Sequence, residues 1–254
     1  MALEAELRAL RDAGRKALVP YVVGGLSDDW LDAVRAVVHA GADAVEIGLP
    51  FSDPIMDGVV IQRAANEALA RGATMSSILD ELATVDLEVP LVAMTYYNVF
   101  HHRGLDRAAG ELAAAGISGS IVPDLSLEEA SPWRQAANAH GVASVLMVAP
   151  STPPERAVAL AEASQGFVYA AARMAVTGLA SNEGDSERVV AEVRRGTDRP
   201  VYVGIGISGP EQAAAAAHVA DGVIVGTAIV SRLLDGEGPL GVERFVSSLR
   251  AAIS

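Results

Sequence analysis

The sequence of 254 residues predicts one (β/α)8-barrel domain over residues 1–254, with an additional N-terminal helix. Three observations predict it. Short apolar runs rich in Val, Ile and Tyr alternate with longer Ala/Leu/Glu/Arg segments, and these runs are near-continuously hydrophobic, as in parallel strands covered by helices. Eight strand–helix units exhaust the chain without leaving a domain boundary. The length matches the roughly 250 residues that such barrels occupy. The competing architecture, an open doubly wound sheet, calls for G-x-G-x-x-G after the first strand. Here GLPFSDP is no such fingerprint, and VGIGIS comes too late in the chain.

Strands are expected near 17–23, 43–49, 90–96, 119–123, 144–149, 167–171, 201–206 and 222–226. Helices are expected near 28–39, 62–71, 105–115, 127–139, 154–163, 185–195, 209–218 and 239–252, with the extra helix 2–13 covering the barrel bottom. Ser208 before GPEQ reads as a cap residue followed by proline and Glu211, a helix start. Gly41, Gly116 and Gly141 read as helix stops.

Composition narrows the chemistry. At 51% hydrophobic residues the chain can bury a substantial core. It has no cysteine, which excludes disulfides, thiolate nucleophiles and Cys-based metal sites. Thirty-two acidic against nineteen basic residues give a formal charge of −13 and disfavour a nucleic-acid surface. Lys16 is the only lysine and precedes the first expected strand, so a Schiff-base aldolase lacks its amine. The charged N-terminus is unlike a secretory signal, and no long uncharged apolar stretch reads as a membrane span; a cytoplasmic enzyme is expected. His39, His140 and His218 read as helix residues, and His101 and His102 as a loop pair without ligand spacing, so no metal site is expected.

The densest chemical signal is VEIGLPFSDPIMDG at 45–58. Glu46 sits inside an apolar strand, where an unpaired carboxylate is costly and burial raises its pKa toward neutrality. It is either a proton-transfer group or one half of a structural salt bridge. Asp57 lies on the following loop, where the catalytic face of a barrel is built, though beside Gly58 it also reads as a turn residue. Asp53 beside Pro54 is equally read as a turn brace.

A second signal lies near the chain's end. Gly204 and Gly206 close the seventh strand, and Gly226-Thr227 closes the eighth before a short helix, AIVSRLL. Glycine admits close approach of an anion, and free N–H groups at a helix start supply donors without lysine. This pairing matches the recurrent phosphate site of barrels. Tyr96, Tyr97, Asn98 and Phe100 after the third strand read as an aromatic wall on a loop. Tyr169 ends the sixth strand, before a long loop fit to close over a ligand. Tyr97 and Tyr169 are equally read as core residues with satisfied hydroxyls.

Taken together, these segments resemble the tryptophan synthase alpha chain family. The resemblance runs through LVPYV at 18–22, VEIGLPFSDPIMDG at 45–58, IQRA at 61–64 and MTYYN at 94–98. It continues through IVPDL at 121–125, GFVYAAARMAVTG at 166–178, GIGIS at 204–208 and DGVIVGTAIV at 221–230, covering nearly the whole chain. It implies retro-aldol cleavage of indole-3-glycerol phosphate to indole and glyceraldehyde 3-phosphate. Glu46 then matches the general acid/base and Asp57 the carboxylate that holds the indole N–H. Gly178, Gly206, Gly226 and Thr227 match phosphate contacts, Tyr169 a substrate-pocket tyrosine, and Thr177 the mobile-loop threonine. Phe100 and Ile61 are expected to line the apolar ring pocket. The resemblance also implies a beta chain as partner in an alpha2-beta2 assembly, with pyridoxal phosphate in that partner and no cofactor in this chain.

The sequence departs from the family's usual pattern at Val23, Leu26-Ser27, Val59, Ala172, Ala175 and Thr227. The changes at Val59, Ala172 and Ala175 keep a stand-alone indole-releasing lyase open as another reading; a catalytically weak barrel that activates a beta subunit is a second alternative.

Overall fold

The computed structural model describes residues 2–171, 184–204 and 206–254, with the side chains of 184 and 185 outside that description. The strands form a closed parallel barrel in chain order. They are β1 (Ala17–Val23), β2 (Val45–Gly48), β3 (Leu91–Met94), β4 (Ile117–Ile121), β5 (Ala143–Val148), β6 (Val168–Ala171), β7 (Val201–Gly204) and β8 (Gly222–Val225). The helices that matter below are α1 (Ala2–Asp12), α2 (Trp30–His39), α3 (Val59–Ala70), α4 (Met75–Leu82), α5 (Tyr97–Arg103), α6 (Leu105–Ala114), α7 (Ser131–Ala139), α8 (Pro154–Ala163), α9 (Gly184–Arg194), α10 (Pro210–Val219), α11 (Thr227–Leu234) and α12 (Gly238–Ala252).

Two helices were not expected from the sequence. The first, α4, starts at a capping box in which Thr74 and Ser77 serve each other's backbone, with Ser77 where a Glu or Gln is the usual signal. The second, α5, is seven residues long, has no side-chain cap and opens on Tyr-Asn-Val, so neither propensity nor capping announces it. It carries His101 and His102 in its last turn, which corrects their reading as a loop pair. The helix start at Ser208 is also corrected. Gly209 is the N-cap of α10, and Ser208 instead gives its N–H and hydroxyl to Gln212 Oε1 at 2.8 and 2.6 Å. The stops hold: Gly41, Gly116 and Gly141 take φ of 96°, 79° and 78°.

Alternate strand residues face the axis, and α1 closes the lower end. Leu3 and Leu7 are fully buried there against Ala17, Val19, Val92, Val145, Phe167 and Tyr202. A Cβ added at Gly119 or Gly166 would lie 2.7 or 2.8 Å from Leu3 Cδ2, so these glycines make room for the plug. Arg8 grips Asp198 through two bonds of 3.0 and 2.9 Å, and Glu4 meets Arg199 at 3.0 Å. Higher up, the even strands contribute Glu46, Ile121, Tyr169 and Ile224 to the interior. The odd strands contribute Tyr21, Met94, Met147 and the side-chain-free Gly204, as the registers Tyr21↔Glu46, Gly48↔Met94, Met147↔Tyr169 and Ala171↔Gly204 require. This upper interior is the floor of the site.

Candidate active site at the barrel mouth

A cavity of about 390 Å³ opens at the C-terminal ends of the strands, where barrels of this class carry their chemistry. Glu46, Asp57, Ile61, Tyr169, Gly206, Gly226 and Thr227 all border it, so the structure brings together seven residues singled out from sequence. Thr177 and Gly178 lie outside the described residues.

Glu46 is 2% exposed, and its Oε2 has no hydrogen-bond partner. Burial, and then the charge of Asp57, push its pKa up to about 8. At neutral pH the group therefore holds its proton. The salt-bridge reading fails because no cation reaches it among the described residues.

Asp57 reaches the cavity from a folded loop. Ile55 N–H donates to Asp53 O at 2.9 Å, Asp57 N–H to Pro54 O at 3.1 Å, and Gln62 Nε2 to Asp57 O at 2.9 Å. Met56 N–H donates to Tyr96 Oη at 2.9 Å, and the Tyr96 hydroxyl in turn serves the Asp57 carboxylate. Phe51 stacks on Tyr96 at 5.2 Å. Burial raises Asp57 to about 6 while the Tyr96 hydrogen bond opposes the rise. Two carboxylates thus face one cavity with unequal pKa, that of Glu46 the higher. Asp53 does not border the cavity: it is exposed and accepts from Ser52 Oγ at 2.6 Å, as a turn brace does.

The other side of the mouth is backbone. Gly226 caps the N-terminus of α11, Thr227 is its first residue, and Gly206 sits at φ 100°. An anion there meets free amide hydrogens and the positive end of an eight-residue helix.

Residues 7–244 match the family profile described as tryptophan synthase alpha chain. The alpha chain of Microcystis aeruginosa is 44% identical over 255 residues, covering 97% of each chain. That of Thermobifida fusca is 44% identical over 240 residues, covering 92% of this chain and 89% of the relative. Among solved structures, Mycobacterium tuberculosis tryptophan synthase superposes with a TM-score of 0.92 at 39% identity, covering 99% of this chain and 97% of that one. This chain belongs to the tryptophan synthase alpha chain family.

One residue expected in the alpha-chain ring pocket is elsewhere. Phe100 is fully buried on α5, stacked on Trp133 of α7 at 4.2 Å, and takes no part in lining the cavity. Once 97–103 is helical, its inward face packs on the neighbouring helix, so a ring assigned to a loop wall became core. Tyr97 instead gives its N–H to Asp124 Oδ1 at 2.9 Å.

Among the lining residues that the sequence did not single out are Tyr21, Met94 and Met147. Their signal was available, since each lies at an alternate position of a strand near its upper end. Tyr21 leans across Gly48, where an added Cβ would overlap its hydroxyl and lie 2.5 Å from Cζ; Tyr169 leans across Gly204 in the same manner. Burial first, then the two carboxylates, hold both phenols well above their ordinary pKa, so they stay protonated donors.

Of the departures from the alpha-chain pattern, Val23 and Leu26 pack in an apolar cluster with Ala64, Ala68 and Val230. Val59 opens α3 and is 63% exposed. Ala172 and Ala175 lie outside the described residues. Among the described residues no helix is long and apolar enough to cross a membrane, and no group of three or more His, Asp or Glu is placed to hold a metal ion.

Proposed function

We propose that this chain, as the alpha component of tryptophan synthase, cleaves indole-3-glycerol phosphate with Glu46 as the acid/base and Asp57 as the partner of the indole N–H. The observation that carries the reading is the buried Glu46, whose Oε2 has no partner, at the floor of a cavity whose far side is an amide-lined anion cradle. The proton of Glu46 goes to indole C3 and breaks ring aromaticity; ionised Asp57 stabilises the positive charge that this creates at nitrogen. The side-chain hydroxyl then gives its proton to the Glu46 carboxylate. Its C–O bond becomes a carbonyl, and the electrons of the C–C bond return to the ring. Indole and glyceraldehyde 3-phosphate leave, and Glu46 is protonated again. Gly206, Gly226 and Thr227 hold the phosphate, joined by Gly178, and Thr177 is assigned to the substrate site; Gly178 and Thr177 lie outside the described residues. Tyr169 bounds the pocket.

The same reading assigns a beta chain as partner, in an alpha2-beta2 assembly in the cytoplasm, with pyridoxal phosphate belonging to that partner. Ile55, Met56 and Val59, 78%, 57% and 63% exposed beside the mouth, supply the apolar surface a docked chain would cover. The test is indole release by the purified chain, alone and with a beta chain. Strong activation by the beta chain is expected. Equal rates alone and in complex would favour a stand-alone lyase, and no release in either would leave a silent activator. Glu46→Gln and Asp57→Asn should each lower turnover in the complex by about 10²-fold or more while folding is retained; unchanged turnover rejects the roles.

A further inference from the structure

The walls of the cavity differ in how far they can move. Around the closed barrel, β7 and β8 stand opposite β3 and β4. The β7–β8 side presents Gly206, Gly226 and Thr227, which take the anionic tail of the substrate, so its ring must lie toward β3–β5. There Met94 and Met147 flank Pro123, which lines the cavity from the end of β4. Both methionines are partly buried, packed against the interior cluster on one side and open to the cavity on the other. Other apolar lining groups are stiff or small, among them Pro123, Ala149, Ala171 and the β-branched Ile207 and Ile224. Among the described residues three methionines border this one cavity: Met94, Met147 and, on the loop above, Met56. An unbranched thioether changes rotamer at little cost and fills irregular space, whereas a β-branched side chain in the same strand is fixed at χ1.

We propose that Met94 and Met147 set the breadth of substrate specificity: a ring subsite walled by two unbranched thioethers admits indole-3-glycerol phosphates that carry a substituent on the benzo ring. The inference rests on the reaction proposed above and deepens it by naming the substrate class. Met94 and Met147 take new rotamers when a substituent enters, while Pro123 and Ile224 keep the ring plane.

The experiment compares kcat/KM for the parent substrate and for derivatives methylated on the benzo ring, in the complex with a beta chain. Wild type, Met94→Ile, Met147→Ile and the unbranched-at-Cβ controls Met94→Leu and Met147→Leu are measured. The readout is the ratio between substrates, so any loss common to both cancels. A methyl group that a rigid apolar pocket cannot fit is discriminated roughly 10–200-fold. Wild type is expected to stay below about tenfold for at least one ring position, and the isoleucine variants to rise into that range, with leucine between. Ratios unmoved by either isoleucine variant, with the parent still cleaved, would overturn the proposal. Calorimetric binding of indole and ring-methylated indoles to the same proteins separates the two layers. If the parent is not cleaved but the binding ratio shifts with Met94 or Met147, the wall assignment stands and the reaction assignment fails. If the binding ratio is also unmoved, both fail.

Discussion

Asp43 and Glu46 lie at the two ends of the same short stretch of chain, and both carboxylates are buried, at 8% and 2% exposure. Asp43, at the lower end, accepts from Leu18 N–H, Arg15 Nη2 and Arg250 Nη1, each at 2.9 Å. Glu46, at the mouth, has an oxygen with no partner and a pKa near 8. Burial alone therefore does not make a carboxylate reactive. Where cations and an amide surround it, both oxygens are bonded and the group is structural. Where no cation reaches it, one oxygen is unpartnered and a second carboxylate lies near, the proton is held more tightly and can be given away.

Exchanging the neutral isostere at each end tests that contrast most directly. Glu46→Gln is expected to lower turnover by about 10²–10⁴-fold with folding intact, whereas Asp43→Asn should leave the turnover of folded protein within threefold, roughly the scatter of sites remote from the chemistry. Steady-state kinetics on both decides it, and equal losses would erase the distinction.

The next effect is on stability. Asp43→Asn leaves Arg250, itself largely buried, without its counter-charge, and about 3 kcal/mol should be lost in urea unfolding. A loss below about 0.5 kcal/mol would mean that the lower cluster is ornamental.

A smaller effect is expected at the glycine that receives Tyr169. Gly204→Ala places a Cβ 2.5 Å from Tyr169 Cζ, so the ring must swing toward the cavity. KM for the parent substrate should rise roughly tenfold, the scale of a poorly fitted methyl group. An unchanged KM would show that the phenol has room to spare.

The pH dependence is the finest test. Turnover needs Asp57 ionised and Glu46 protonated, so a bell with limbs near 6 and 8 is expected, and Glu46→Gln should abolish the alkaline limb of any residual activity. Stability carries the same signature. Glu46 is raised from 4.5 to about 8, so between those values the folded state binds the extra proton, and stability falls as pH rises. Glu46→Gln has no proton to lose there, and its stability relative to wild type should climb from about pH 5 to pH 8; a flat difference would contradict the raised pKa.

Much of this was legible in the chain. All eight strands lie within the expected segments to within a few residues, because near-continuous apolar runs between helical segments have few other solutions. Glu46 was legible as a carboxylate out of place in an apolar strand, and Gly206, Gly226 and Thr227 as backbone laid bare before helices. Phe100 was not legible correctly, since an uncapped seven-residue helix turned it from wall into core. Met94 and Met147 read as ordinary strand residues, because periodicity says that a side chain faces inward but not at what height.

Residue type and spacing along the chain were enough to specify the barrel, the two carboxylates and the glycines at the ends of the last two strands, and the motifs carry the family. Those properties are local: they follow from residue type and spacing along one segment. Only the closed barrel decided that Glu46 Oε2 goes without a partner while Asp43 is satisfied, that Tyr21 and Tyr169 lie over Gly48 and Gly204, and that Met94 and Met147 line the cavity. Those depend on which side chains from distant strands arrive at the same level, and that is settled by strand register and shear once the sheet has closed.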